Sequence, residues 1–206
     1  LASFAATAFD IVTDGRPAAE IILAKEANQS QKLAAEDLQK FVREMSGAEL
    51  DIVGAPTGKF DNRIYVGLPK PVRGLGFVPA KFSNSGYQIF VKGKAMVLHG
   101  NDRLAPPNPF AAGDREENLK KWREFTGEPF TLAQINNGAD RYNAQFKIHI
   151  TDDTGTWYAA SALLEQLGVR FYAPYEDGTV VPQRKNLSAK DQDTRVEAAF
   201  ARRHWY

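Results

Sequence analysis

Cysteine is absent from the 206 residues, which removes disulfides, thiolate metal sites and cysteine nucleophiles together. A surplus of charge is missing too. Lysine and arginine number 26 against 25 aspartates and glutamates, a formal net charge of +1, whereas nucleic acid or an anionic membrane demands a concentrated basic face. No apolar run approaches the roughly 18 residues of a membrane-spanning helix, so membrane insertion is not expected. The three histidines, His99, His149 and His204, lie far apart and belong to no His-x-x-x-His or Glu-x-x-His pattern. No metal site is expected from them. Gly54-Ala55-Pro56-Thr57-Gly58-Lys59-Phe60 is one residue short of a phosphate loop between its glycines and lacks the hydroxyl after lysine. It reads as a solvated turn, and no cofactor is expected. A Gly-x-Ser-x-Gly nucleophile elbow is likewise missing.

What remains is an ordinary globular composition, 43% apolar and 25% charged, on a chain long enough to bury a sizeable core. The most regular stretch is a helix from about Ser30 to Ser46. Leu33, Ala34, Leu38, Phe41, Val42 and Met45 make one apolar stripe, Asn28 and Gln31 have capping-box spacing, and Gly47 follows the last turn. A second helix begins near Asp152-Asp153-Thr154, three candidate caps, carries Trp157, Ala160, Leu163, Leu164 and Leu167 on one stripe, and stops at Gly168. The Asp152-Asp153 pair is explained by that capping.

Strands are expected around Phe9–Val12, Glu20–Ala24, Leu50–Val53, Arg63–Leu68, Gly86–Val91, Met96–His99, Gln145–Thr151, Val169–Tyr172 and Thr179–Val181. The first two read as a hairpin around Asp14-Gly15-Arg16-Pro17, and another hairpin turns at Lys92-Gly93-Lys94. This order predicts an α/β chain of the α+β type: a mixed β-sheet with two main helices packed on one face. Residues 102–143 read as an insertion, opened by Pro106, Pro107 and Pro109. They hold a short helix in which Glu116, Glu117, Lys120 and Lys121 permit i,i+4 ion pairs. Residues 183–197 are polar and read as a linker, before an unusually apolar and aromatic stretch at 198–206.

Three pieces carry a family resemblance: Thr154-Gly155-Thr156-Trp157-Tyr158-Ala159, the run from Leu163 to Pro174, and Gly178-Thr179-Val180-Val181-Pro182. With Ala34 to Gly47, they resemble the accessory domain that precedes the catalytic barrel in family-20 β-hexosaminidases and family-67 α-glucuronidases. A group of bacterial glycoside-hydrolase-like proteins has the same layout. The resemblance implies an accessory α/β domain over residues 1–182 and, at 198–206, the start of a catalytic (β/α)8 barrel. It implies a non-catalytic role for this chain, as support for a barrel in the same parent chain that degrades carbohydrate. Family-20 enzymes carry a consecutive Asp-Glu pair, which this chain lacks. The Phe-x-x-Arg segment Phe200-Ala201-Arg202-Arg203 resembles the one at the barrel entrance, and so implies that Arg203, with Arg202 as the alternative, binds sugar hydroxyls.

A different reading is a carbohydrate-binding module that uses aromatic side chains. Trp122, Trp157, Tyr158, Phe171, Tyr172 and Tyr175 are the residues able to stack on a pyranose, with Trp122 the least constrained by the helix and strand patterns. A small free-standing enzyme ranks last, because no catalytic constellation emerges. The resemblance implies a periplasmic or secreted parent. The opening Leu1 to Ala8 has no basic n-region or full apolar core of an export signal and reads as the start of a mature chain.

Overall fold

The computed structural model describes residues 8–72, 74–103, 115–127, 129, 142–143, 146–149, 152–173 and 178–197. Strand β1 (Ala8–Thr13) leads through β2 (Arg16–Pro17) into β3 (Ala19–Leu23), and helix α1 (Gln29–Ser46) follows. Next come β4 (Ile52–Val53), β5 (Asn62–Val66), a 3-10 turn (Lys70–Val72), β6 (Tyr87–Lys92) and β7 (Ala95–Gly100). The insertion holds helix α2 (Arg115–Thr126), and β8 (Tyr142–Asn143) and β9 (Ile148–His149) precede helix α3 (Gly155–Leu167). The last elements are β10 (Arg170–Phe171), β11 (Thr179–Val180), β12 (Leu187–Lys190) and β13 (Gln192–Val196).

The main sheet has six strands in the order β13-β6-β7-β5-β3-β4. Strands β4, β3, β5 and β7 run parallel, while β6 and β13 are antiparallel to their neighbours. It is the mixed sheet of an α+β chain. Both long helices lie on one face of it, with α1 against β3 and β5 and α3 against β6 and β7. Their stripes bury Leu38, Val42, Met45, Leu163 and Leu164 against Ile21, Ile64, Ile89, Met96 and Leu98. Each such side chain contributes about 1.5–3 kcal/mol on leaving water. On the other face the segment after the 3-10 turn folds back, so that Val72, Leu75 and Phe77 cover Ile22, Tyr65, Phe90 and Val97. A sheet covered on both faces explains why Ile64-Tyr65-Val66 and Met96-Val97-Leu98 are unbroken apolar runs rather than alternating ones.

Local signals hold where the partners are close in sequence. Asn28 and Gln31 form the capping box of α1, Gly47 and Gly168 end their helices in left-handed conformation, and β6 and β7 make the expected hairpin.

Three expectations are corrected. Strand β1 does not form a hairpin with β3. It pairs briefly with β2 and then with β12 in a separate three-stranded sheet, while β3 crosses into the main sheet. The polar stretch after Pro182 is not a linker, because β12 pairs with β1 and β13 forms the edge of the main sheet. Leu187 and Ala189 alternate inward, which fixes β12 on the core, and the polar residues between them face solvent. Within the strand expected over Gln145–Thr151, the described residues form a turn at 146–147 and then β9, which pairs with β8 and not with the main sheet, while 145, 150 and 151 lie outside the described residues.

Candidate functional site

The densest polar cluster gathers where α1 and α3 begin, just beyond the end of β7. Strand β7 ends at Gly100, and of the next three residues Asp102 reaches α1 and α3 while Asn101 and Arg103 meet at Asp153. The Asp102 carboxylate accepts from Ser30 Oγ (2.8 Å) and the backbone N–H of Thr156 (2.8 Å) on one oxygen, and from Gln31 Nε2 (3.2 Å) and Thr156 Oγ1 (2.5 Å) on the other. One carboxylate therefore fastens the first turns of both long helices. A helix N-terminus carries unsatisfied N–H groups and partial positive charge, so it attracts an anion. Here the anion is a side chain of the chain itself.

Beside it, Asp153 accepts from Ser85 Oγ (3.1 Å), Asn101 Nδ2 (3.2 Å) and Arg103 Nε (3.2 Å). The Arg103 guanidinium lies over the Phe125 ring of α2 at 4.4 Å, which ties the inserted helix to the junction. Backbone contact is equally close. The N–H of Gly155 donates to Asn101 O (2.9 Å), and a Cβ on Gly100 would come within 2.2 Å of Gly155 carbon.

The expectation that the Asp152-Asp153 pair caps α3 is corrected here for Asp153. Thr154 is the cap residue by position, yet it makes no side-chain capping bond, and Asp153 is turned to Ser85, Asn101 and Arg103. The cap comes from Asp102, 54 residues earlier. No local pattern betrays it. Asp102, Ser30 and Glu20 were all missed in the sequence, because each meets partners 37 residues or more away.

Chemically the junction is a fastening. A carboxylate offers about four acceptor positions, and Asp102 has four donors in place. The sequence 54–60 behaves likewise. Buried Glu20 accepts from Thr57 Oγ1 (2.6 Å) and Thr57 N (3.1 Å), with Arg63 Nε at 3.6 Å, so this loop is fastened by a carboxylate of the chain itself.

The aromatic residues do not converge. Trp122 in α2 is 6% exposed, and Trp157 is half-buried, stacking near Phe146 (5.5 Å) and donating from Nε1 to Asp37 (2.6 Å). Burial pushes the Asp37 carboxyl above its usual range, against the opposing pull of that hydrogen bond. Tyr158 is exposed in the first turn of α3, and Tyr172 is exposed beyond its last. At 1.5 Å per residue those positions are about 15 Å or more apart along the axis, too far for one pyranose. Phe171 leans edge-on against Phe41 at 5.4 Å. Tyr175 and Arg203 lie outside the described residues. His99 sits on β7 beside Phe77 and Phe82, and burial lowers its pKa, while nearby Asp102 pulls it upward. Among the described residues no three His, Asp or Glu side chains converge as metal ligands do, and no helix is long and apolar enough to cross a membrane.

The architecture is an α+β domain whose six-stranded mixed sheet is covered on one face by two helices. No protein-family model matches the chain, and no curated protein matches its sequence. Among solved structures its fold is similar to BtGH115A, a family GH115 4-O-methyl-α-glucuronidase with specificity for decorated arabinogalactans. The TM-score is 0.53 at 14% identity. The match covers 91% of this chain and 18% of that one. At this identity the likeness is one of fold, to a part of a glycoside hydrolase.

Proposed function

We propose that the chain is a non-catalytic accessory domain of a larger, exported carbohydrate-degrading glycoside hydrolase, and that it packs on and supports a following catalytic barrel. The observation that carries this reading is the asymmetry of the fold match: nearly all of this chain corresponds to less than a fifth of a glucuronidase. The motif resemblance to the pre-barrel domain of families 20 and 67 points the same way. The polar clusters support it as well, since Asp102 and Glu20 are engaged by the chain's own donors. On this reading Arg203 belongs to the barrel side and meets sugar there, whereas Trp122, buried in α2, serves packing within the insertion.

The test is to read the parent gene past the Tyr206 codon and assay both products. The expected result is about 300 further residues of alternating strand and helix with an acidic pair at a strand end, the usual place for barrel active sites. The full protein should cleave aryl glycosides or glucuronides, and the 206-residue chain should cleave none. A stop codon directly after Tyr206 refutes the reading. Heat on calorimetric titration of the 206-residue chain with oligosaccharides would favour a carbohydrate-binding module in its place.

A further inference from the structure

Two helices packed side by side about 10 Å apart cover roughly four strands spaced about 4.8 Å. The main sheet has six, so its β13 edge lies at the margin of the two-helix layer, where Gln166 of α3 reaches it. The result is an open groove on the helix-bearing face, lined by Tyr87, Ala162, Glu165, Gln166 and Arg170. Gln166 and Gln192 exchange hydrogen bonds across it (2.9 and 3.4 Å).

Both ends of the groove run onto exposed apolar side chains. At one end Val196, the register partner of Tyr87, is 38% exposed. At the other, Arg170 opposes Val180 in the β10–β11 hairpin, and Tyr172 follows directly after β10, its N–H donating to Gly178 O (2.8 Å). Val180 is 53% exposed and Tyr172 76%. Phe171 points the other way, onto α1, so this hairpin face is left toward the groove side. Val196, the groove, Val180 and Tyr172 therefore form one continuous strip. The strip is apolar at both ends and polar between them, and exposed apolar side chains gathered beside a polar groove mark an interface.

The described chain leaves this strip at Glu197, and the sequence continues Ala198-Ala199-Phe200-Ala201-Arg202-Arg203, apolar and then cationic, beside a groove that carries both Glu165 and Arg170. We propose that the strip from Val196 through the groove to Tyr172 is the surface on which the domain following residue 197 docks, an inference that rests on the accessory-domain reading. The occupant presents apolar side chains to Val196, Val180 and Tyr172, and polar groups to Glu165, Gln166 and Arg170 between them.

Hydroxyl-radical footprinting of the full-length parent against the 206-residue chain tests this. Tyr172 and Val196 should react about tenfold more slowly in the parent, as expected for side chains moved from solvent into an interface. Combining Tyr172→Asp with Val180→Asp should leave the melting of the 206-residue chain unchanged. In the parent it should speed proteolytic cleavage after residue 197 about tenfold or more, since burial of one such side chain is worth at least one decade in an equilibrium. Equal reactivity of Tyr172 in both proteins, with a barrel present and active, overturns the docking surface and leaves the accessory role intact. A parent without a barrel overturns both.

Discussion

Replacing Asp102 with alanine is the sharpest test of the physical account, because one carboxylate holds the starts of both long helices. The substitution removes four accepted hydrogen bonds, one of them from the backbone N–H of Thr156 in the first turn of α3. A hydrogen bond to a charged acceptor is worth about 1.5–3 kcal/mol net, and a lost cap about 1 kcal/mol. These values overlap, since the cap is one of the four bonds. Asp102 is also only half-buried, so water reaches part of what is vacated. A loss of about 3 kcal/mol is therefore expected, against a total stability of about 5–15 kcal/mol for a domain. At about 2–4 °C per kcal/mol for a chain of this size, the melting temperature should fall by about 6–12 °C. Asp102→Asn keeps one acceptor oxygen but turns an amino group toward Gln31 and the Thr156 hydroxyl, and should fall between. Asn28→Ala, which removes only a local cap on α1, should cost about 1 kcal/mol. Urea unfolding followed by circular dichroism measures all three. If Asp102→Ala costs no more than Asn28→Ala, the two helices are not held through this carboxylate and the account of the junction is wrong.

Gly100→Ala and Gly155→Ala should each abolish soluble folding or cost about 3 kcal/mol or more, because the added carbons would lie 2.2 Å from Gly155 carbon and 2.3 Å from Gly86 oxygen; soluble yield and urea midpoints decide. Leu187→Ala should cost about 2–5 kcal/mol in the same assay, and near-zero loss would restore the linker reading of 183–197. Asp37 offers a pH test. Burial raises its folded-state pKa above the unfolded value, so its contribution to stability is fullest below the unfolded pKa and is lost as pH rises through the folded one. Asp37→Asn, which still accepts from Trp157 Nε1, should therefore gain on the wild type as pH rises across the carboxylate range. A difference in stability that stays constant between pH 3 and 7 contradicts the assignment.

How much of this was legible depends on where each residue finds its partner. Helix α1 was readable almost to its ends because its determinants lie within four residues of one another: the capping box, the 3.6-residue stripe, the glycine stop. The β6–β7 hairpin was readable for the same reason. Strand β12 was not, because its evidence is only two inward residues, Leu187 and Ala189, and its partner β1 is about 180 residues earlier. A four-residue strand with polar alternate positions looks like a linker until its partner is known. The same logic misassigned the cap of α3. Asp152-Asp153-Thr154 satisfies every local rule for a helix start, yet the N–H of Thr156 takes Asp102, which the sheet delivers from the end of β7.

That substitution also bears on function. In open α/β sheets the ground beyond the strand ends, where helix N-termini gather, is the usual place for an anionic ligand. In this chain it is filled from within by Asp102, and Arg103 then ties the insertion down over Asp153 and Phe125. A ligand would have to displace a carboxylate with four donors already in place, at a cost of several kcal/mol. The fold thus closes its most ligand-like position and leaves open a strip at the β13 edge instead. That distribution is what the accessory role proposed above calls for.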